Sequence, residues 1–228
     1  MKPREFRSAR LVKGWTQNQA AARLGMTQAY LNFLEHGKRR LTPDLVRRAT
    51  SVYELSPKTL PLTDPYVPVE TSDQHLAEAL STLGYPGFRY LRSHTAKKHP
   101  NEVLLTALWQ KSLDGRVAEA LPWIVMNCAE LDSWLVENAR QFNLQNRLGF
   151  LVSLARRAAE KSNAQKSTEL GRFQILLDDS RLAKEDYFYR PPRTDSESQW
   201  LRMNRTEEAV HWNLLTDMKP EHLPYAQL

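Results

Sequence analysis

The chain has little cysteine, little glycine and no long apolar run. Its 228 residues include one cysteine and eight glycines. A single cysteine excludes an intramolecular disulfide and any zinc site built from several cysteines. No uninterrupted apolar stretch approaches the ~20 residues that a membrane-spanning helix needs, and the basic N-terminus lacks the apolar core of a secretory signal. We therefore expect a soluble, cytoplasmic protein with no membrane contact, no metal and no cofactor.

Positive charge is concentrated at the front of the chain. Residues 1–62 contain twelve Lys/Arg and four Asp/Glu, whereas residues 63–228 contain twenty and twenty-two. The formal net charge of +6 therefore comes entirely from the first part. Such an asymmetry is typical of a polyanion-binding head joined to a body with a different task.

Three prolines indicate a boundary between these parts. Pro61, Pro65 and Pro68 lie within LPLTDPYVPVETSD, and their spacing prevents a helix or a central strand from running through. We expect a stiff, extended linker over 63–72, because prolines restrict the backbone. The head then comprises 1–62 and the body 73–228.

The body has the pattern of an all-α domain. Its apolar residues recur at three- and four-residue steps, and runs of β-branched residues are absent. The pattern predicts one helix from Asp73, as N-cap, to Leu83, and another with Pro100 at its first position. Further helices are expected at about 115–128, 132–142, 144–162, 165–182 and 207–216, with a surface loop over 189–198.

The head contains two short helices separated by a tight turn, within the segment WTQNQAAARLGMTQAYLNFLEHGKRR. A first helix over 17–24 follows Thr16 and stops at Gly25, which can adopt the left-handed conformation that a turn requires. Thr27 then caps a second helix, and Ala21 permits the two helices to approach closely. Such short helices cannot bury their apolar faces alone, so we expect supporting helices on both sides.

These residues resemble the Cro and phage-repressor family, also called the XRE family. The similarity spans residues 6–60 and rests on the following features: Thr16-Gln17, Ala21, Gly25, Tyr30-Leu31, Leu34-Glu35-x-Gly37 and Ser56-Pro57. The resemblance implies a five-helix, lambda-repressor-like domain that binds double-stranded DNA. In this family the second helix of the motif lies in the major groove.

The resemblance places base contacts on the outward face of the helix that begins at Thr27. The expected base-reading residues are Thr27, Gln28, Ala29, Asn32 and Phe33. The amides of Gln28 and Asn32 suit adenine, and Ala29 suits a thymine methyl group. Phe33 departs from the family pattern, which favours a polar or basic side chain there. It packs either on a thymine methyl group or against another protein surface.

A second set of residues is expected to contact phosphate without reading sequence. Gln17 belongs to this set by resemblance, and a basic cluster follows the second helix of the motif. The expected phosphate-binding residues are Gln17, Lys38, Arg39, Arg40, Arg10 and Lys13. Glu35 is expected to be structural, bonding the following loop or a nearby arginine.

The body offers weaker functional signals. Its tryptophans, at positions 109, 123, 134, 200 and 212, are expected in the core instead of in a ligand cage. The stretches GYPGFRYLRSH and EAVHWNLLTDMKPEHLPYA resemble the C-terminal part of antitoxins paired with nucleotidyltransferase-like toxins. This resemblance implies a cognate toxin as partner.

Enzymatic signals in the body are permissive. Arg205 and His211 have a spacing used by a class of all-helical ribonucleases, but Arg89 and His94 have a similar one. The step from Glu208 to His211 resembles half of a di-iron motif, with no second copy in the chain. We therefore expect no enzyme activity and no catalytic residue.

Together these features predict a sequence-specific transcriptional repressor that binds an inverted-repeat operator as a homodimer. The body then supplies dimerisation or toxin contacts. A ligand-sensing one-component regulator is the main alternative. A helix-turn-helix used only for protein contact, an RNA-binding protein and a helical ribonuclease also remain open.

Overall fold

The chain forms two compact helical units. The structure is a computed structural model that describes residues 1–91, 97–160 and 162–223. The units are Met1–Asp64 and Pro65–Leu228. Their secondary structure confirms the predicted all-α class. No helix in the described ranges is long and apolar enough to span a bilayer.

The first unit contains four α-helices and one 3₁₀ turn where five helices were expected. They are α1 (Pro3–Val12), α2 (Gln17–Leu24), α3 (Gln28–Glu35), α4 (Pro43–Val52) and the turn Pro57–Thr59. The fifth element cannot extend, because Leu60 precedes a proline and is held in an extended conformation (φ −64°, ψ 145°).

The predicted helix boundaries around the tight turn are confirmed. The Thr16 hydroxyl accepts a hydrogen bond from the backbone N–H of Gln19 at 3.2 Å. In turn, the side-chain oxygen of Gln19 accepts one from the backbone N–H of Thr16 at 3.0 Å. This reciprocal pair satisfies two amides at the start of α2. Gly25 ends α2 with φ 65°, and the Thr27 hydroxyl accepts from the Tyr30 N–H at the start of α3.

The core of the first unit is built from all four helices. Its fully or nearly fully buried apolar side chains include Phe6, Ala20, Ala21, Leu24, Leu31, Leu34, Ala49 and Tyr53. The ring of Phe6 meets that of Tyr53 edge-on, with centroids 5.7 Å apart. The two helices of the motif therefore bury their apolar faces against α1 and α4, as their shortness requires.

The second unit adds eight α-helices within the described ranges. They are α5 (Asp73–Thr82), α6 (Pro100–Trp109), α7 (Gly115–Asn127), α8 (Ser133–Gln141), α9 (Gln145–Ala159), α10 (Ala164–Asp178), α11 (Asp195–Asn204) and α12 (Glu207–His211). Pro100 opens α6 as predicted, whereas the cap of α5 is Ser72 instead of Asp73. Residues 145–155 of α9 are all buried, and α9 packs against α7 and α10.

The helix predicted over 207–216 ends early. Helix α12 stops at His211, and Asn213 takes a positive φ of 51°, which turns the chain away from the helical path. The next residues form β2 (Leu214–Leu215), which pairs in parallel with β1 (Asp186–Tyr187). Both residues of β2 are buried, so tertiary packing of this apolar pair decides the conformation.

Most of the segment predicted as a linker, 63–72, is packed with the second unit, which begins at Pro65. Tyr66 is buried, with its ring 5.4 Å from that of Trp134 and 6.1 Å from that of Phe142. Its hydroxyl lies 2.8 Å from the Thr106 hydroxyl. Burial raises the pKa of Tyr66 to about 12. An aromatic side chain between two prolines thus anchors a segment that its prolines alone made look like a spacer.

The tryptophans divide into two groups. Trp212 is fully buried, and Trp123 and Trp134 pack against the core, as predicted. The prediction is wrong for Trp109 and Trp200, which are 40% and 52% exposed. Helix α11 buries only Leu201, so the adjacent Trp200 points elsewhere on the helix.

Trp212 requires a glycine in α9. A Cβ added at Gly149 would lie 2.4 Å from the Trp212 indole, closer than side-chain atoms can approach. The indole N–H donates to the Ser153 hydroxyl at 2.8 Å, which fixes the ring across one helical turn. Helix α9 therefore accepts the cost of a mid-helix glycine in exchange for close packing.

We predict that Gly149→Ala lowers the free energy of unfolding by about 1–3 kcal/mol, because the added methyl group overpacks the site. Urea denaturation of the full chain measures the change. Gly171→Ala in α10 is the matched control, since its Cβ would meet Arg156 at an ordinary 3.6 Å. This control should be neutral or slightly stabilising. Equal losses in both variants would contradict the packing explanation.

Candidate nucleic-acid interface

The predicted base-reading residues lie on one outward face of α3. Gln28, Ala29 and Phe33 are exposed and Asn32 is half-buried, whereas Leu31 and Leu34 on the opposite face are fully buried. Positions separated by four residues share a face of a helix. Thr27 sits at the N-cap of α3, where its hydroxyl is already used to cap the helix.

Three side-chain amides meet at the start of this face, and we call them the amide cluster (Gln17, Gln28 and Asn32). Gln17 Oε1 accepts hydrogen bonds from Gln28 Nε2 at 2.6 Å and from Asn32 Nδ2 at 3.4 Å. Each amide nitrogen carries a second N–H, and the oxygens of Gln28 and Asn32 remain available as acceptors. The sequence placed Gln17 among phosphate contacts and gave no sign that it orients the other two amides.

A buried ion pair lies beneath the amide cluster. Arg10 Nε and Nη2 donate to the two oxygens of Glu35 at 2.6 Å and 3.0 Å. The exposed fractions of the two side chains are 8% and 0%. Arg10 Nη1 donates to the Trp15 carbonyl at 2.8 Å, and Gln17 Nε2 donates to Glu35 Oε2 at 3.0 Å. The expectation of a structural Glu35 bonded to an arginine agrees with this geometry.

The ion pair stays charged at neutral pH. Burial acts to raise the pKa of Glu35, but the hydrogen bonds from Arg10 and Gln17 outweigh it, and the pKa lies below its ordinary value. The hydrogen bond to Glu35 raises the pKa of Arg10. Arg10 was a phosphate candidate in the sequence. The structure instead directs all three of its guanidinium nitrogens toward protein acceptors.

The remaining phosphate candidates differ in how much they are engaged. Lys13 Nζ lies 2.6 Å from Glu54 Oε2, so an internal ion pair competes with any phosphate. Lys38 Nζ lies 5.9 Å from the centre of the exposed Phe33 ring, within the range of a cation–π contact. Arg39 and Arg40 are exposed in the loop after α3. These two have no hydrogen-bond or ion-pair partner in the part of the chain that the structure describes.

One matched segment contains α2, α3, the glycine turn between them, α4 and most of α1. Residues 6–60 match the helix-turn-helix family. The match supports a DNA-binding transcription regulator of the XRE type, with α3 as the second helix of the helix-turn-helix. Comparison with curated proteins and with solved structures gave no match. The antitoxin resemblance of the second unit therefore gains no support from these comparisons.

The residues considered for catalysis lie outside the helix-turn-helix. Arg205 and His211 each pair with an acidic side chain. Arg205 Nη1 pairs with Glu185 at 3.2 Å, whereas His211 Nε2 lies 2.6 Å from Asp178 Oδ1. The alternative pair of Arg89 and His94 has no described geometry, because His94 lies outside the described residues.

The half di-iron motif, from Glu208 to His211, has no cluster of metal-ligating side chains around it among the described residues. Glu208, which carries it, accepts a hydrogen bond from Arg157 at 2.9 Å. Within residues 1–91, 97–160 and 162–223, no group of three or more metal-ligating side chains occurs.

We predict that Glu35→Gln opens the first unit, because it leaves Arg10 buried without its counter-charge. Removing one partner of such a pair costs about 3–5 kcal/mol. Amide hydrogen exchange of the full chain, corrected for intrinsic rates, should show loss of protection over residues 1–64 while α9 stays protected. Glu54→Gln is the control, since its pair with Lys13 is exposed and worth at most about 1 kcal/mol. Comparable losses from both variants would contradict a special role for Glu35.

This difference should depend on pH. The pKa of Glu35 is lowered on folding, so its charge stabilises the fold above the unfolded value of about 4.3. That stabilisation is lost as the pH falls through the lower pKa of the folded state. Urea denaturation at decreasing pH should therefore show the wild type and Glu35→Gln converging in stability below about pH 4. A constant difference would contradict the lowered pKa.

Proposed function

We propose that the protein is a sequence-specific transcriptional repressor whose helix α3 reads bases in the major groove of DNA. The observation that carries this proposal is the amide cluster, in which Gln17 of α2 bonds to Gln28 and Asn32 on the outward face of α3. Gln28 and Asn32 can each offer an amide oxygen and a free N–H to an adenine edge, which presents the complementary pair in the major groove. Ala29 beside them fits a thymine methyl group.

The charges around α3 support this proposal. The loop after α3 carries Lys38, Arg39 and Arg40, which supply cations for the backbone phosphates on the flank of the groove. Phosphate contacts of this kind fix the register of a protein on DNA, and base contacts give it specificity. Sequence-specific binding needs both, and the first unit carries both within one helix and its following loop.

A homodimer on an inverted repeat completes the proposal. One head of this size contacts few base pairs, and a two-fold pair doubles the contacts. The half-sites then lie on one side of the duplex, about 34–36 Å apart or a multiple of it. In this proposal the second unit provides the dimer contacts. A regulator of this kind works where the DNA is, so the proposal carries the cytoplasmic location expected from the sequence.

We predict that Gln28→Ala and Asn32→Ala relax base preference at single positions of the binding site, by about 1–3 kcal/mol of discrimination each. The site is first selected from random DNA with the wild type. Competition between this site and its single-base variants then measures the preference of each mutant.

Arg39→Gln and Arg40→Gln are the contrasting variants. They should weaken binding to every sequence alike. The negative slope of log K against log salt should become less steep, by about 0.9 per lost phosphate contact. The assignment of the amide cluster to base reading fails if all four variants lose affinity equally on all sequences.

For the second unit we propose a toxin as partner, which makes the repressor an autoregulating antitoxin. The support is its resemblance to antitoxins and the exposed Trp200 and Met203 on α11, whose side chains are 52% and 77% accessible. Aromatic and methionine side chains are enriched in the centres of protein interfaces. A ligand-sensing regulator remains the alternative, in which the second unit binds a small molecule.

Co-expression with the product of the neighbouring gene tests the antitoxin role. The two proteins should co-purify, and the chain should rescue growth from that product. Trp200→Ala should weaken the complex at least tenfold, whereas Trp109→Ala, which removes an exposed tryptophan from α6, should not. Absence of both binding and rescue favours the ligand-sensing alternative and leaves the DNA-binding proposal intact.

A further inference from the structure

Helix α1 carries two groups of cations that the structure treats differently. Arg10, and Lys13 just beyond the helix, are engaged in ion pairs with Glu35 and Glu54. Arg4 and Arg7 are exposed instead, and neither has a hydrogen-bond or ion-pair partner within the described ranges. The sequence predicts phosphate contacts at Arg10 and Lys13 and does not single out Arg4 and Arg7, although the latter are the exposed cations of α1.

Arg4 and Arg7 line an open groove between α1 and the end of α3, which we call the α1 groove. Its volume is about 890 Å³. The residues that determine its charge and its position are Lys2, Arg4, Arg7, Glu35, His36 and Gly37. The groove lies entirely within the first unit.

The charge of the α1 groove favours an anionic occupant. Glu35 is the acidic side chain among the residues that line it, and its carboxylate is already paired with Arg10. The charge of Arg7 also helps to lower the pKa of Glu35, but one carboxylate that is shared with Arg10 leaves the three cations Lys2, Arg4 and Arg7 in excess within the groove. Glu5, the acidic residue of the first turn of α1, accepts a hydrogen bond from the backbone N–H of Lys2. An apolar ligand would gain nothing from three cations, whereas a polyanion releases counterions on binding them.

The position of the α1 groove connects it with the base-reading face. Glu35 lines the groove and is hydrogen-bonded to Gln17, whose oxygen accepts from Gln28 and Asn32. The groove is thus one side chain away from the amide cluster. At its other border, Gly37 leads directly into the basic loop that begins at Lys38.

We infer that the α1 groove receives the sugar-phosphate backbone of the DNA whose bases α3 reads, with Arg4 and Arg7 as phosphate contacts. The inference rests on the proposed function and extends it, because it adds a contact line on α1 to the loop after α3. Phosphate contacts from α1 and from the loop after α3 would together fix the position of α3 in the major groove without reading any base.

The test compares the full-length wild type with Arg4→Gln, Arg7→Gln and Arg23→Gln on the selected binding site at several salt concentrations. Arg4→Gln and Arg7→Gln should each make the negative slope of log K against log salt less steep, by about 0.9, and should leave base preference unchanged. Arg23→Gln is the matched control. It removes the same charge from the exposed end of α2, where Arg23 lies over the Trp15 ring at 4.3 Å, and the slope should stay at the wild-type value.

The outcomes separate this inference from the proposal beneath it. Unchanged slopes in Arg4→Gln and Arg7→Gln, with normal binding by the wild type, overturn the α1 groove alone. An equal loss of slope in Arg23→Gln also overturns it, because net charge then explains the effect. No salt-dependent binding of any DNA by the wild type overturns the proposed function and the α1 groove with it. Circular dichroism of each variant excludes loss of folding as the cause.

Discussion

The ion pair between Arg10 and Glu35 is the interaction on which the first unit depends. Taking two charges out of water costs several kcal/mol, and only close, two-pronged geometry with further hydrogen bonds offsets that cost. Arg10 belongs to α1 and Glu35 to α3, and Gln17 at the start of α2 bonds to the same carboxylate. Three helices are therefore held in one relative arrangement by one carboxylate. The position of the outward face of α3, where the proposed base-reading side chains lie, depends on that arrangement.

The same interaction decides which cations are available for DNA. The first 62 residues carry a large excess of positive charge, but a charge count does not distinguish a buried guanidinium from an exposed one. Arg10 is buried in its ion pair with Glu35, and Lys13 is paired with Glu54. Arg39 and Arg40 are exposed. DNA affinity in such a domain comes from the exposed cations, because only they can replace counterions on phosphate. The buried one acts by positioning the amides.

The second unit is organised by burial and not by charge. Helix α9 is enclosed along most of its length, and Trp212 closes over Gly149 on its surface. Tyr66 anchors the start of this unit, residues 65–72, to its core. Gln110 Nε2 also donates to the Val69 carbonyl in this segment at 3.0 Å. Trp200 and Met203 of α11 are among the large apolar side chains that lie exposed outside this well-packed interior. Their exposure is the structural support for the protein partner that we propose for this unit.

Short-range interactions could be predicted from the order of the residues alone. Thr16, Gly25 and Thr27 set the ends of α2 and α3, because caps and positive-φ turns are local interactions. The resemblance to the repressor family also predicted which face of α3 points away from the core, and Leu31 and Leu34 are indeed buried on the other face. Contacts between residues far apart in the chain became visible only in the folded protein. Arg10 and Glu35 are 25 positions apart, and Tyr66 and Thr106 are 40 apart. No periodicity marks such pairs in a sequence. The hydrogen-bond partners of Arg10 and Gln17, the burial of Tyr66 and the exposure of Trp200 follow from packing between helices, which short-range signals do not encode.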